Sequence, residues 1–392
     1  MVGTADRIKN VEEYYFSKKL AEVRSLDTAE LRVINLGIGS PDLAPSENTI
    51  DALIVSAKNP GNHGYQNYKG IPQLREAIGI FYRRIYSVSL NTESDILPLM
   101  GSKEGIMHIC MAFVNEGDEV LIPDPGYPTY ASVAKLTGAK IVTYKMKEEL
   151  SWGIDVAALR KKDLSKVKIL WVNFPHMPTG RIASREELKE LVDLARENNF
   201  LIVNDNPYSL ILNESPLSIL SIEGASDVAL ELNSLSKSHN MAGWRIGWVA
   251  GKKEYIDSLL RVKSNMDSGM FLGLQHAAAE ALKNGNDWFQ KQNEIYKKRQ
   301  QAAFKILEEL NCSFEKKQSG LFLWAKAPNA IADVEKWIDE ILHGTKVFIT
   351  PGFIFGEAGK RFIRISLCAT EEKLKEALTR IASWNKPLNL KS

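Results

Sequence analysis

The sequence predicts an α/β protein in which a large domain built on a mostly parallel sheet is followed by a smaller α+β domain. Three observations predict it. The middle of the chain alternates short β-branched or apolar runs with amphipathic stretches, the pattern of βαβ units. Beyond about residue 253 the pattern changes to long helical stretches broken by two short strands. The 392 residues are 44% hydrophobic and 25% charged, enough apolar surface for large cores and too much for long disorder.

Taken in chain order, residues 1–45 read as a loosely helical arm, with Ile8, Val11, Tyr15, Leu20 and Val23 roughly on one face. The arm is expected to join the smaller domain. The large domain is assigned to 46–285 and the small one to 286–392. A helix begins near Lys103, with Ile106, Ile109, Cys110 and Phe113 at helical spacing. Strands are expected at 119–122, 140–145, 168–173, 200–204, 228–233 and 246–250, each a short apolar run. A helix lies between the third and fourth of these: Ser184 caps it, Glu187 completes a capping box, and Leu188, Leu191, Val192 and Ala195 share a face. The small domain carries strands at 320–325 and 361–366 and a last helix presenting Leu374, Leu378 and Ile381.

Composition excludes several functions. Fifty Lys and Arg against 48 Asp and Glu leave a charge of +2, no electrostatic basis for nucleic acid or an anionic membrane as partner. No apolar run approaches the roughly 18 residues of a membrane span. The polar start lacks a secretory stretch, which points to the cytoplasm. Cys110, Cys312 and Cys368 are scattered and the six His lack ligand spacing, so no metal is expected. GIG at 37–39 invites a dinucleotide reading, but Asp42 occupies the third glycine's place and no strand–helix unit surrounds it.

In an open parallel sheet, ligands bind beyond the carboxyl ends of the strands. Four such ends carry polar residues: Asp124 with Tyr127 after the first strand, Asn173 with His176 and Thr179 after the third, Asp205 with Tyr208 after the fourth, and Ser234, Ser236 and Lys237 after the fifth. Arg245 follows eight residues later. A lysine between small hydroxyl residues is a candidate Schiff-base amine, provided desolvation or nearby cations lower its pKa. Ser234, Ser236 and Arg245 suit a phosphate, as do Gly101, Ser102 and Lys103 at a helix start, where free N–H groups collect. Each feature alone also reads as a turn or a cap.

Their joint order resembles the class I/II aminotransferases, pyridoxal-phosphate enzymes of fold type I. The resemblance runs from INLGIGSPD at 34–42 to FIRISL at 362–367. Its anchor is SLSKSHNMAGWRIGW at 234–248, supported by YQNYKGIPQLREAI at 65–78, GSKEGI at 101–106, PDPGYPTY at 123–130, PTG at 178–180 and NDNPY at 204–208. It implies pyridoxal 5′-phosphate bound covalently to Lys237, which then serves as acid and base. It implies that Asp205 holds the ring nitrogen protonated, that Tyr208 donates to the phenolic oxygen, and that Tyr127 stacks on the ring. Ser102, Lys103, Ser234, Ser236 and Arg245 form the phosphate cradle with Gly101. Tyr65 reaches that phosphate from a neighbouring subunit, in a homodimer with shared sites. Arg364 grips the substrate carboxylate, and Gly39 offers it a backbone N–H.

One position departs from the family pattern. Asn usually precedes PTG and bonds the phenolic oxygen; here it is Met177, whose thioether cannot donate. The oxygen then depends on Tyr208, with Asn173 or His176 as further candidates. The implied reaction moves an α-amino group from an L-amino acid to a 2-oxo acid, such as 2-oxoglutarate, in ping-pong fashion. β-Elimination or decarboxylation on the same fold, and a non-catalytic regulator, stay open as alternatives. No motif assigns the substrate side chain. Trp152, the Tyr14–Tyr15 pair and MDSGMF at 266–271 are candidate pocket residues.

Overall fold

A computed structural model describes residues 2–9, 11, 13 and 15–384. Tyr14 lies outside the described residues. The chain passes through a two-residue strand, β1 (Ile34–Asn35), before entering the main sheet. That sheet has eight strands: β2 (Ile96–Leu99), β3 (Glu119–Asp124), β4 (Lys140–Lys147), β5 (Gly153–Ile154), β6 (Val167–Val172), β7 (Leu201–Asp205), β8 (Ala229–Ser234) and β9 (Gly247–Gly251), in the order β2-β9-β8-β7-β6-β3-β4-β5. The run β4-β3-β6-β7-β8 is parallel, while β9 runs antiparallel between β8 and β2.

The sequence reading missed β2. Its four residues, ILPL, are buried on both faces and include Pro98, so they show neither alternation nor a clean β-branched run. A proline is tolerated there because β2 is an edge strand.

Each face of the sheet is covered. Helices Ser102–Phe113, Pro128–Leu136 and Lys253–Lys263 lay Ile106, Ile109, Val133 and Leu259 on Val120, Ile169 and Val203. The opposite face receives Leu188, Leu191 and Val192 of the helix Arg185–Asn198. Ser184 caps that helix, its Oγ accepting from Glu187 N at 3.1 Å. The expected capping box does not form. The Glu187 carboxylate turns to Arg181 and accepts from Ile154 N, tying the helix to the loop after β6 and to β5.

Beyond the long helix Asn286–Glu309 lies a three-stranded antiparallel sheet with central β13 (Phe362–Ser366), flanked by β10 (Phe322–Lys326) and β12 (Thr350–Pro351). β11 (Val347–Phe348) pairs with β1, bringing the segment before Leu36 into this part of the molecule. One continuous apolar cluster, from Leu121 and Leu170 to Leu323, Ile363 and Ile365, joins the two sheets.

The arm differs from its expected face. Ile8 is exposed, and the helix Tyr15–Ser25 instead buries Phe16, Lys19 and Val23. Phe16 and Val23 pack on Leu342 and Phe348, and Lys19 is tied to Asp339 at 2.6 Å and Glu22 at 2.8 Å. Asp42, further on, makes a two-pronged pair with Arg299 at 2.6 and 2.8 Å. No helix among the described residues is long and apolar enough to cross a membrane.

Candidate active site

The carboxyl ends of β3, β6, β7 and β8 meet the start of the helix Ser102–Phe113 on one side and the β13 strand on the other. Lys237 sits in a four-residue helical turn, Leu235–Ser238, directly after β8. Ser234 caps this turn, its Oγ accepting from Ser236 N at 3.0 Å. The Lys237 Nζ reaches across to the Gly39 carbonyl at 2.6 Å. Burial pulls this ammonium below its usual range, and Arg364 and Arg245 pull the same way, against the Cys368 thiol and the Asp205 carboxylate. An amine eased toward neutrality is what condensation with an aldehyde requires. Gly39 meets Lys237 through its carbonyl.

Asp205 ends β7 and is almost fully enclosed. Its Oδ2 accepts from the Tyr130 hydroxyl at 2.9 Å. Its Oδ1 is buried with no hydrogen-bond partner among the described residues. Burial pushes its pKa up to about 6, against the Tyr130 hydrogen bond and the nearby Lys237. A buried carboxylate oxygen lacking a donor is costly, and a ring N–H⁺ is a donor of the right charge to relieve it. Tyr130 closes the PDPGYPTY segment, and nothing local in the sequence marks it as a partner of Asp205. Its ring lies parallel to Trp171, 4.9 Å between centroids, which fixes the hydroxyl on Asp205. Tyr127, which caps the helix Pro128–Leu136, meets Tyr130 edge-on at 5.5 Å.

The anion cradle is assembled from two elements. Arg245, with a left-handed φ of 57°, donates to Ser236 Oγ at 3.3 Å and to the Ala242 carbonyl at 2.9 Å. Its guanidinium lies against Gly101, the residue before the helix: a Cβ there would come within 2.2 Å of Arg245 Nη2. Gly101 also has φ 91°, so no other residue fits comfortably. Desolvation and Arg245 both lower the Lys103 ammonium pKa, a mark of cations gathered around one spot. Two cations, seryl hydroxyls and a helix start suit a dianionic phosphate. The residues present thus fit pyridoxal 5′-phosphate at both its ring nitrogen and its phosphate.

Arg364, at the centre of β13, is buried. Its guanidinium carbon lies 3.9 Å from the Phe322 ring centroid, 4.6 Å from Phe355 and 5.6 Å from Phe16. Nη2 donates to the Gly37 carbonyl at 2.6 Å and Nη1 to the Met177 thioether at 3.2 Å. Tyr208, also buried, meets Phe322 edge-on at 5.9 Å, and burial raises the pKa of its phenol far above the usual range. The hydroxyl therefore stays protonated, as a donor.

Three expectations need correction. Asn173 does not present a free amide: its nitrogen donates to the Asp205 carbonyl and its oxygen accepts from Met177 N at 2.8 Å. It braces the loop behind the site. His176 Nδ1 is held by Thr179 Oγ1 at 2.9 Å, and burial lowers its pKa to about 3, so the ring is neutral. Trp152 is a core residue, edge-on to Phe362 and Trp324, not an open pocket wall. Tyr65 stands apart, 93% exposed in the single chain. In the 266–271 segment, Asp267 is bound to Lys263 through both oxygens and Phe271 stacks on His63. Glu104, His108 and Asp267 come within 4.8 Å of one another, but the Lys263 ammonium already supplies the cation there.

The fold and these two half-sites define a pyridoxal-phosphate-dependent transferase of fold type I. The sequence pattern of the family Aminotransferase class I and II matches residues 32–381, and the chain belongs to this family. It is 38% identical to the LL-diaminopimelate aminotransferase of Halothermothrix orenii over 379 residues, 96% of this chain and 97% of that one. The enzyme of the same name from Aquifex aeolicus is 37% identical, with 97% and 99% covered. Among solved structures, substrate-bound BacF from Bacillus subtilis superposes with a TM-score of 0.92 at 34% identity, covering 97% of this chain and 98% of that one. Aspartate aminotransferase from Thermus thermophilus with maleate superposes at 0.91 and 26% identity, covering 97% and 99%. The protein is an aminotransferase that uses pyridoxal 5′-phosphate to pass an amino group from an amino acid to a 2-oxo acid.

Proposed function

We propose that LL-diaminopimelate is the amino donor, with 2-oxoglutarate as acceptor, and that Lys237, Asp205 and Arg364 carry the reaction. The carrying observation is the trio's geometry: a desolvated amine, a buried carboxylate oxygen awaiting a donor, and a guanidinium held in an aromatic cage. The relatives' shared name supports the donor. The cofactor, when bound, supplies an aldehyde for the lysine and a ring that spreads negative charge from the substrate Cα. Asp205 would hold a proton on the ring nitrogen of the bound cofactor. Lys237 Nζ would take the substrate Cα proton and later give it back. Tyr208 would donate to the phenolic oxygen and Tyr127 would back the ring. Arg364 clamps the α-carboxylate with two parallel N–H bonds, fixing the Cα–H bond for transfer.

Gly101, Ser102, Lys103, Ser234, Ser236 and Arg245 hold the phosphate. Tyr65 completes that cradle from a partner in a homodimer, which accounts for an aromatic ring left in solvent. We read 1–45 as an arm on a small domain of 286–392, with 46–285 as the large domain, and the protein as cytoplasmic. A second donor class has its own support. Phe16, Phe322 and Phe355 surround Arg364 with rings, and Tyr15 and Phe353 extend the aromatic cluster beyond Phe16, a lining suited to a bulky apolar side chain.

The test is a half-reaction screen: loaded enzyme mixed with single amino acids, with visible spectra before and after. Conversion by LL-diaminopimelate at micromolar to low-millimolar concentration is the expected result. Conversion by aromatic amino acids alone moves the assignment to the second class. In the Lys237→Ala enzyme, denaturation should release all cofactor with no covalent adduct.

A further inference from the structure

Met177 stands where a polar amide is usual, and its sulfur is 3.2 Å from Arg364 Nη1. The side chain is 5% exposed and its peptide N is anchored by Asn173 Oδ1. The neighbours of Arg364 divide the guanidinium between them. The Gly37 carbonyl holds Nη2, while Phe322 and Phe355 hold the faces. Nη1 lies against the Met177 sulfur, and in a buried place the strength of the acceptor an N–H meets sets how readily it is offered to a ligand. A carbonyl or carboxylate at that point would satisfy it so well that a substrate would have to compete for it. A thioether is a weak acceptor, polarizable and easily given up.

We propose that Met177 is a positioning residue for carboxylate recognition: its sulfur holds Arg364 Nη1 in line as a displaceable acceptor. When the substrate carboxylate arrives, Nη1 exchanges sulfur for oxygen while the cage and the Gly37 carbonyl keep the plane fixed. The inference rests on the reading of Arg364 as the carboxylate clamp, and its consequence is confined to ligands bearing a carboxylate.

Met177→Leu keeps the volume and removes the acceptor, so folding should survive. Met177→Ile is the second variant should Leu not fold. The expected result is a KM for amino donor and 2-oxo acid lowered about three- to tenfold, with kcat within about twofold, because an acceptor that the carboxylate must displace is gone, the scale of one modest hydrogen bond. The Kd of 3-phenylpropionate, an unreactive carboxylate, should fall by the same factor in calorimetry. The rate with benzylamine, which has no carboxylate, should not change. Unchanged or raised KM and Kd, or an equal change with benzylamine, would overturn the proposal. Arg364→Lys separates the two readings. If it leaves carboxylate affinity intact, the clamp itself falls. If it weakens carboxylates and Met177→Leu does not tighten them, only the role of Met177 falls.

Discussion

With the role proposed for it, Asp205 sets function against stability at the scale of one residue. Its folded pKa, pushed up to about 6, lies above its ordinary value near 3.8. The protonated form is thus favoured by folding, and stability from this group is full below pH 3.8 and falls as pH rises through 6. Above that, keeping the carboxylate charged costs the cofactor-free protein about 3 kcal/mol. Asp205→Asn, which still accepts from Tyr130, should raise the melting temperature of the cofactor-free protein at pH 8. The gain should vanish at pH 4, and transamination should fall by orders of magnitude. Scanning calorimetry at the two pH values decides it; a variant equally destabilised at both would contradict the argument. Asp205 and Lys237 were legible from the sequence because each directly follows a strand. Tyr130 was not, since its partner Asp205 is distant in the chain and a tyrosine inside a helix carries no local sign of its target. The rings around Arg364 were illegible for the same reason: Phe16, Phe322 and Phe355 meet only through tertiary packing.

The proposed phosphate cradle belongs to the scale of elements, where one turn and one helix start must be brought to a common point. Gly101 is the narrow place between them. A methyl group there collides with Arg245 and is strained at φ 91°. Gly101→Ala should displace the guanidinium and weaken cofactor binding by at least about tenfold. A spectral titration of cofactor-free protein measures this; unchanged affinity would show that Arg245 is not pinned by the glycine. Most strands of the main sheet were visible as apolar runs, within about two residues of their ends. The β2 edge escaped because a short, doubly buried run with a proline has no period. The antiparallel direction of β9 escaped because composition does not encode strand polarity. The Glu187 box was misread since a carboxylate three residues past a cap takes the best donor in reach, and Arg181 outbids a backbone amide.

For the whole molecule, the exposed Tyr65 makes a prediction that depends on two chains. If each site borrows this tyrosine from the partner subunit, Tyr65→Ala and Lys237→Ala damage different halves of one site. Mixing the two inactive proteins under subunit exchange should restore about a quarter of the normal activity, since half the dimers are mixed and each holds one complete site. No recovery on mixing, with exchange verified by native mass spectrometry, would place the tyrosine's role within its own chain. The change from strand-and-helix alternation to longer helices was legible because the two patterns have different periods. How the amino-terminal helix docks was not, because the buried Lys19 reads as a surface residue until Asp339 is seen beside it.

That docking has a consequence during synthesis. Phe16 and Lys19 precede Asp339, Leu342 and Arg364 by more than three hundred residues, and so leave the ribosome well before them. The seat of the amino-terminal helix therefore exists only after the intervening residues have been translated. A nascent chain can finish its central sheet long before it can recognise an amino acid.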